Sequence, residues 1–206
     1  MTWSSRMLAA GVVVLALAWA MPLSGALPGP FTAHMTMHMG VVAIGAPLLA
    51  LGLAGTSRDP VRFARGWLAP VPASFVEMAL VWGWHAPALH HFARHTTTGL
   101  VLEQASFLGS GLWLWAAALG GDPARSLRRR AAGVVALLLT SMHMTLLGAL
   151  LALAPRELYG HAHAHGALTG LEDQQLGGAI MLAVGGVSYL AGGVLLSAGL
   201  LRGARA

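Results

Sequence analysis

Apolar residues in this chain come in long blocks, with the polar residues gathered between them. Six blocks are long enough to read as membrane-crossing helices: 7–23, 34–54, 70–87, 100–119, 131–154 and 177–201. A bilayer core of about 30 Å takes about 20 helical residues, with about 17–25 as the working range. The first and third blocks sit at the short end of that range. Glycine and proline inside the blocks, such as Gly45, Pro47, Gly111, Gly148 and Gly185, are tolerated in a membrane and let helices approach closely. The pattern predicts an all-α, polytopic transmembrane helix bundle with about six spanning helices. Its expected organisation is an N-terminal helix and short outer loop over 1–30, then a five-helix unit over 31–206.

Composition narrows the class further. Of 206 residues, 56% are hydrophobic and only 9% charged. Soluble domains carry about 25% charged residues, so an ordinary water-soluble globule is excluded. With 27 Gly and 10 Pro but no repeat, collagen-like and low-complexity readings fail as well. The chain has no cysteine, so disulfides, thiolate metal sites and cysteine nucleophiles are ruled out. A metal would have to be held by imidazole, thioether or carboxylate.

The net charge of +5 comes entirely from arginine on the basic side. These arginines lie in short connections rather than on one folded face, so they argue for membrane orientation and against a nucleic-acid partner. Arg6, Arg58, Arg62, Arg65, Arg125, Arg128, Arg129, Arg130, Arg202 and Arg205 occupy one alternate set of connections, and only Arg94 and Arg156 the other. Positively charged loops stay in the cytoplasm, so both termini are expected there. Residues 1–26 also fit a second reading, as a removable export signal: a basic lead to Arg6, an apolar run, and Ser24-Gly25-Ala26 as the cleavage point.

Once orientation is assigned, the histidines and methionines become one-sided. The second block opens outward with His34-Met35-Thr36-Met37-His38-Met39. An outward loop over 86–99, preceded by His85, carries His90, His91 and His95, and a second over 155–176 carries His161, His163 and His165. No histidine falls in a cytoplasmic connection. On a helix, residues four apart share a face with Cβ atoms about 6 Å apart, so His34 with His38, and Met35 with Met39, form paired donors at the helix mouth. Two imidazoles one turn apart can grip a metal ion, and thioethers select soft, monovalent copper.

A deeper tier lies below this mouth. At about 1.5 Å per residue, His143, flanked by Met144, lies about 16 Å down, and Glu77 about 15 Å down. A carboxylate and an imidazole at mid-membrane depth are expected to pair with each other or to serve a function. Glu103, Asp173 and Gln174 enter helices at the outer face. A carboxylate at a helix N-terminus is also favoured by the helix dipole alone.

Taken in order along the chain, these pieces resemble the CtaG-type cytochrome c oxidase assembly factors, multi-pass membrane proteins of aerobic bacteria. The resemblance runs from about Phe31 to Leu201. It rests on the His34-Met35 and His38-Met39 doublets with Ala46-Pro47-Leu48-Leu49, and on Trp84-His85-Ala86-Pro87. It continues through Glu103, Ser106-Phe107-Leu108 and Trp113-Leu114-Trp115 to Asp173-Gln174-Gln175-Leu176-Gly177-Gly178 with Met181. Family members commonly carry histidines at the positions of Gln104 and Leu100, and Trp at the position of Leu182.

The resemblance implies a non-enzymatic role in the bacterial plasma (inner) membrane: helping to deliver or insert Cu(I) into the catalytic subunit of a copper-containing oxidase. A periplasmic copper donor would load it. The expected metal ligands are His34, Met35, His38, Met39, His85, His143 and Met144, with Glu77, Glu103, Asp173 and Gln174 as the groups that orient them or balance charge. Three other readings stand beside this one. A copper permease needs ligands continuing toward the cytoplasm, and none lies below mid-membrane. A haem-binding electron carrier needs facing axial histidines, and only His143 is deep. A membrane zinc hydrolase would draw on His34, His38, His143 and Glu77.

Overall fold

The computed structural model describes residues 2–63, 69–120, 127–160 and 168–203. Arg65, Arg125 and Arg205, and the expected outward histidines His161, His163 and His165, lie outside the described residues. The fold is 85% helix, with no strand among the described residues. Along the chain run α1 (Trp3–Ala20), α2 (Pro30–Met39), α3 (Ala46–Leu53), α4 (Pro60–Phe63), α5 (Pro70–Trp84), α6 (Pro87–His95), α7 (Thr97–Leu119), α8 (Leu127–Ala152), α9 (Gly170–Ile180) and α10 (Gly186–Gly203). Proline opens α2, α4, α5 and α6, where its missing N–H loses nothing. Thr96 caps α7 by accepting from Gly99 N at 2.9 Å. A reciprocal Thr169–Glu172 box starts α9.

Two of the apolar blocks are interrupted by π-helical turns, Gly40–Gly45 joining α2 to α3 and Met181–Gly185 joining α9 to α10. Such a turn disturbs the regular ladder and leaves carbonyl groups needing outside donors, which a membrane interior does not supply. At the first of these turns, side chains provide them. Trp115 Nε1 donates to the Val42 carbonyl at 3.0 Å, and Ser188 Oγ to that of Ala43.

Small residues fix how the helices pack. α1 lies along α3, where a Cβ on Gly11 would fall 2.8 Å from Leu49 and one on Gly52 2.7 Å from Leu8. α8 packs against α9 and α10, with Gly178 lying directly on the backbone of Ala152. α5 fits between α7 and α8, and α2 packs on α9.

The bundle has two chemically different ends. At one, Asp59 accepts from Gly55 N and Val61 N at 2.9 and 3.0 Å, Gly120 packs on it, and it acts on the charge of Arg129. Arg58 and Arg62 belong to this end, as do both ends of the described chain: Leu8 sits against Gly52, and Arg130 against Gly199. At the other end meet the start of α2, the end of α5, α6, the start of α7, the segment after α8 and the start of α9. Arginines and histidines are thus sorted to opposite ends, with Arg94, Arg156 and the mid-helix His143 the exceptions among the described residues.

Among the described residues, four helices are long and apolar enough to cross a membrane: Trp3–Ala20, Pro30–Leu53, Leu127–Ala152 and Gly170–Leu201. The expected blocks 70–87 and 100–119 form α5 and α7, which run between the same two ends without meeting that measure. α5 has 15 residues, about 22 Å at about 1.5 Å per residue, and α7 carries Glu103, Gln104, Ser106 and Ser110. The expected outward loop 86–99 is instead mostly the helix α6. The second and sixth blocks begin earlier than expected, at Pro30 and Gly170, because capping at Gly29 and Thr169 draws polar residues into helix.

Replacing Trp115 by Phe keeps the ring and removes the donor to Val42. It is expected to lower stability by about 1–3 kcal/mol in a detergent unfolding titration. The indole N–H of Trp113 has no hydrogen-bond partner, so Trp113→Phe should stay within about 0.5 kcal/mol.

Candidate metal centre

The histidine end holds a compact buried cluster assembled from four helices. α2 presents His34 and His38 one turn apart, their rings nearly parallel with centroids 6.2 Å apart. His85 follows the last residue of α5, where Pro87 prevents continuation. Its ring lies 5.2 Å from those of both His34 and His38. α6 adds His90, 4.8 Å from His34 ring to ring. α7 adds Glu103, whose Oε1 is 3.6 Å from His34 Nδ1. One donor atom each from His34, His90 and Glu103 falls within 4.8 Å of the other two. All five side chains are buried, none above 4% exposed.

Aromatic rings wall the cluster. Phe107 lies 4.1 Å from His38, and Tyr159 lies 4.5 Å from His90 while stacking on Phe31 at 4.6 Å. The Tyr159 hydroxyl donates to the His85 carbonyl at 2.8 Å. Burial pushes that phenol above its ordinary range, so it remains a donor. The His85 ring is fixed as well: Nδ1–H donates to the Val81 carbonyl at 2.7 Å, leaving a lone pair on Nε2.

Both nitrogens of His34, both of His38, Nε2 of His85 and Oε1 of Glu103 are buried without a hydrogen-bond partner. Each such orphan costs about 1–3 kcal/mol, and native interiors leave few of them. Here they converge, which is the donor arrangement a cation requires. Glu103 is also charge-compensated: Arg94 on α6 pairs with Oε2, and Gln104 Nε2 donates to the same oxygen at 3.0 Å.

The remaining expected site residues go elsewhere. Met35, Met39 and Met144 are part of the packed core, and a Cβ on Gly185 would meet Met39 Sδ at 3.6 Å and Met144 Cβ at 3.5 Å. Adjacent helical residues point about 100° apart, so a face that turns His34 and His38 to the cluster turns Met35 and Met39 away from it. The expected pairing of Glu77 with His143 does not form. Glu77 Oε1 accepts from the Tyr189 hydroxyl at 2.9 Å, and both nitrogens of His143 lack a hydrogen-bond partner. His143 borders an open apolar groove of about 700 Å³ with Met78, Met142 and Leu182.

Asp173 and Gln174 act on backbone rather than on imidazoles. The Asp173 carboxylate accepts from Phe31 N and Thr32 N at 2.8 and 2.9 Å, capping α2, and Gln174 Oε1 accepts from Leu158 N at 2.8 Å. Gln104 accepts from Trp19 Nε1 at 3.1 Å and ties α1 to α7. Four contributors were not among the expected site residues: His90, Arg94, Tyr159 and Phe107. His90 had a usable signal, because Pro87 begins a helix and places His90 and Ala93 on one face three residues apart.

A polytopic helical membrane protein with a buried histidine-rich centre at one end of the bundle is the class this geometry defines. The chain belongs to the cytochrome c oxidase caa3 assembly factor family (Caa3_CtaG), whose model matches residues 2–203. It is therefore an oxidase assembly factor that associates with cytochrome c oxidase. No curated protein and no solved structure matches the chain.

Removing Arg94 strands the Glu103 carboxylate in the interior. Arg94→Met is expected to destabilise the protein by about 3–5 kcal/mol. Arg94→Met combined with Glu103→Met should recover most of that loss. Thermal melting of the three variants in detergent measures the cycle.

Proposed function

We propose that this assembly factor handles copper, binding Cu(I) among His34, His38, His85 and His90 beside Glu103 and passing it to the catalytic subunit of the oxidase. The observation that carries the reading is the convergence of unpartnered, buried imidazole nitrogens in one aromatic-walled cluster. Neutral imidazole suits copper, and His85 already holds the tautomer that offers Nε2. Glu103 offsets the charge of the incoming cation, and Arg94 offsets Glu103 when no cation is present. The reading needs no chemical turnover, and the chain acts as a carrier rather than an enzyme. Met35, Met39, His143 and Met144 are not needed as ligands, so nitrogen donors carry the binding.

The same reading has six passes through the bacterial plasma membrane, with both termini in the cytoplasm and the histidine end facing the periplasm. Its support is the sorting of arginines and both described chain ends to the opposite end, which the positive-inside bias turns toward the cytosol. The short α5 then crosses where local thinning or polar neighbours allow. A periplasmic copper donor would load the centre from the histidine end. A permease is less well supported, because among the described residues no ladder of ligands leads from the cluster to the arginine end.

Anaerobic titration of the purified protein with Cu(I) against a competing chelator tests the site. His34→Ala with His38→Ala should weaken binding at least about a hundredfold, since even groups behind the ligands are worth about 10–100-fold. Met35→Leu with Met39→Leu should leave it unchanged. X-ray absorption should show nitrogen scatterers without sulfur. Zinc alone, or unaltered copper binding in the double-alanine variant, would overturn the reading. The cysteine-free chain also allows a clean topology measurement. Cysteine placed at 91 should react with an impermeant maleimide in intact cells, and cysteine at 58 only after permeabilisation.

A further inference from the structure

α6 carries histidines on two faces. His90 and Ala93 are buried, whereas His91 and His95 are exposed. His91 and His95 are one turn apart, and their rings stack with centroids 3.8 Å apart and planes inclined by 17°. His95 Nδ1–H donates to the His91 carbonyl at 2.8 Å, so its proton is held against the backbone and Nε2 keeps a lone pair. An ion bound at about 2.0–2.1 Å per nitrogen brings two adjacent donors to about 3–3.5 Å from each other. A pair four residues apart on one helix face can satisfy that with small rotamer changes.

We infer that His91 and His95 form a second, exposed copper site, at which Cu(I) is received before it enters the buried cluster. The inference rests on the copper reading of that cluster. Two neighbouring nitrogens from one helix leave coordination positions open on the far side of the ion, so a ligand of the delivering carrier stays bound while the imidazoles take hold. His90 is the next residue along the same helix, and its ring is 4.8 Å from that of His34. Passage inward is then a ligand exchange across one short helix, with no change in the oxidation state of the metal and no covalent step. The outer pair remains open to water, which makes it the weaker and faster of the two sites.

The test is a stoichiometric and kinetic Cu(I) titration of the full chain under anaerobic conditions, in a background where His161, His163 and His165 are alanine. That background takes two equivalents. His91→Ala with His95→Ala takes one, and its buried site fills about tenfold more slowly to the same final occupancy, the scale expected for losing an assisting ligand. His34→Ala with His38→Ala retains only the weaker equivalent. Because His91 and His95 are exposed, their replacement leaves the melting temperature unchanged, which separates loss of a site from loss of fold. If the His91/His95 variant still takes two equivalents, or fills at the unaltered rate, the inference is overturned. If removing His34 and His38 changes nothing while removing His91 and His95 abolishes binding, the outer site stands and the buried centre fails.

Discussion

Asp173 receives two backbone N–H groups at the start of α2, and through them it sets where His34 and His38 stand. The first N–H groups of a helix have no partner within it, and a membrane supplies no water to replace one. A carboxylate from α9 meets that need for α2. Gly29 leaves the space, since a Cβ there would overlap the Asp173 carboxylate. One charged group thus joins two helices far apart in sequence and aims one turn of imidazoles at the ends of α5, α6 and α7.

The same demand for satisfied polar groups is met at other points of the bundle. The carbonyls loosened by the π turn after α2 are taken up by Trp115 and Ser188. Ser74 and Thr140 bond to each other at 2.8 Å between α5 and α8, and Glu77 bonds to Tyr189. The imidazoles of His34 and His38 have no hydrogen-bond partner on any nitrogen, although His34 Nδ1 lies 3.6 Å from Glu103 Oε1. Those open imidazole nitrogens are what the proposed copper reading rests on. The charge arrangement agrees: Glu103 is held between Arg94 and His34, so a buried carboxylate lies beside the nitrogens without being left uncompensated.

Separation of thioethers from imidazoles changes the chemistry that the chain is fitted for. Doublets of His and Met look like mixed ligands in one dimension, but one residue of offset on a helix is about 100° of rotation. Imidazoles face the aromatic-walled cluster, and thioethers fill the seam between α2, α8 and the π turn after α9. Methionine there does what its flexibility suits it for, packing irregular space beside glycine.

Much of this architecture was legible in the sequence. Hydrophobic block lengths specify helices in a bilayer irrespective of their partners, and arginine placement follows from a field that acts on each connection separately. Both are local properties, so an all-helical bundle, its opposed basic and histidine ends, and His34, His38 and His85 as members of the cluster were readable along the chain. Three things were decided only by the tertiary structure: that His90 and Glu103 complete the group, that Asp173 and Gln174 serve the backbone, and that Glu77 turns to Tyr189 rather than His143. Each depends on which faces of separate helices meet, and that is fixed by glycine contacts and caps between segments up to about 140 residues apart, which no local pattern records.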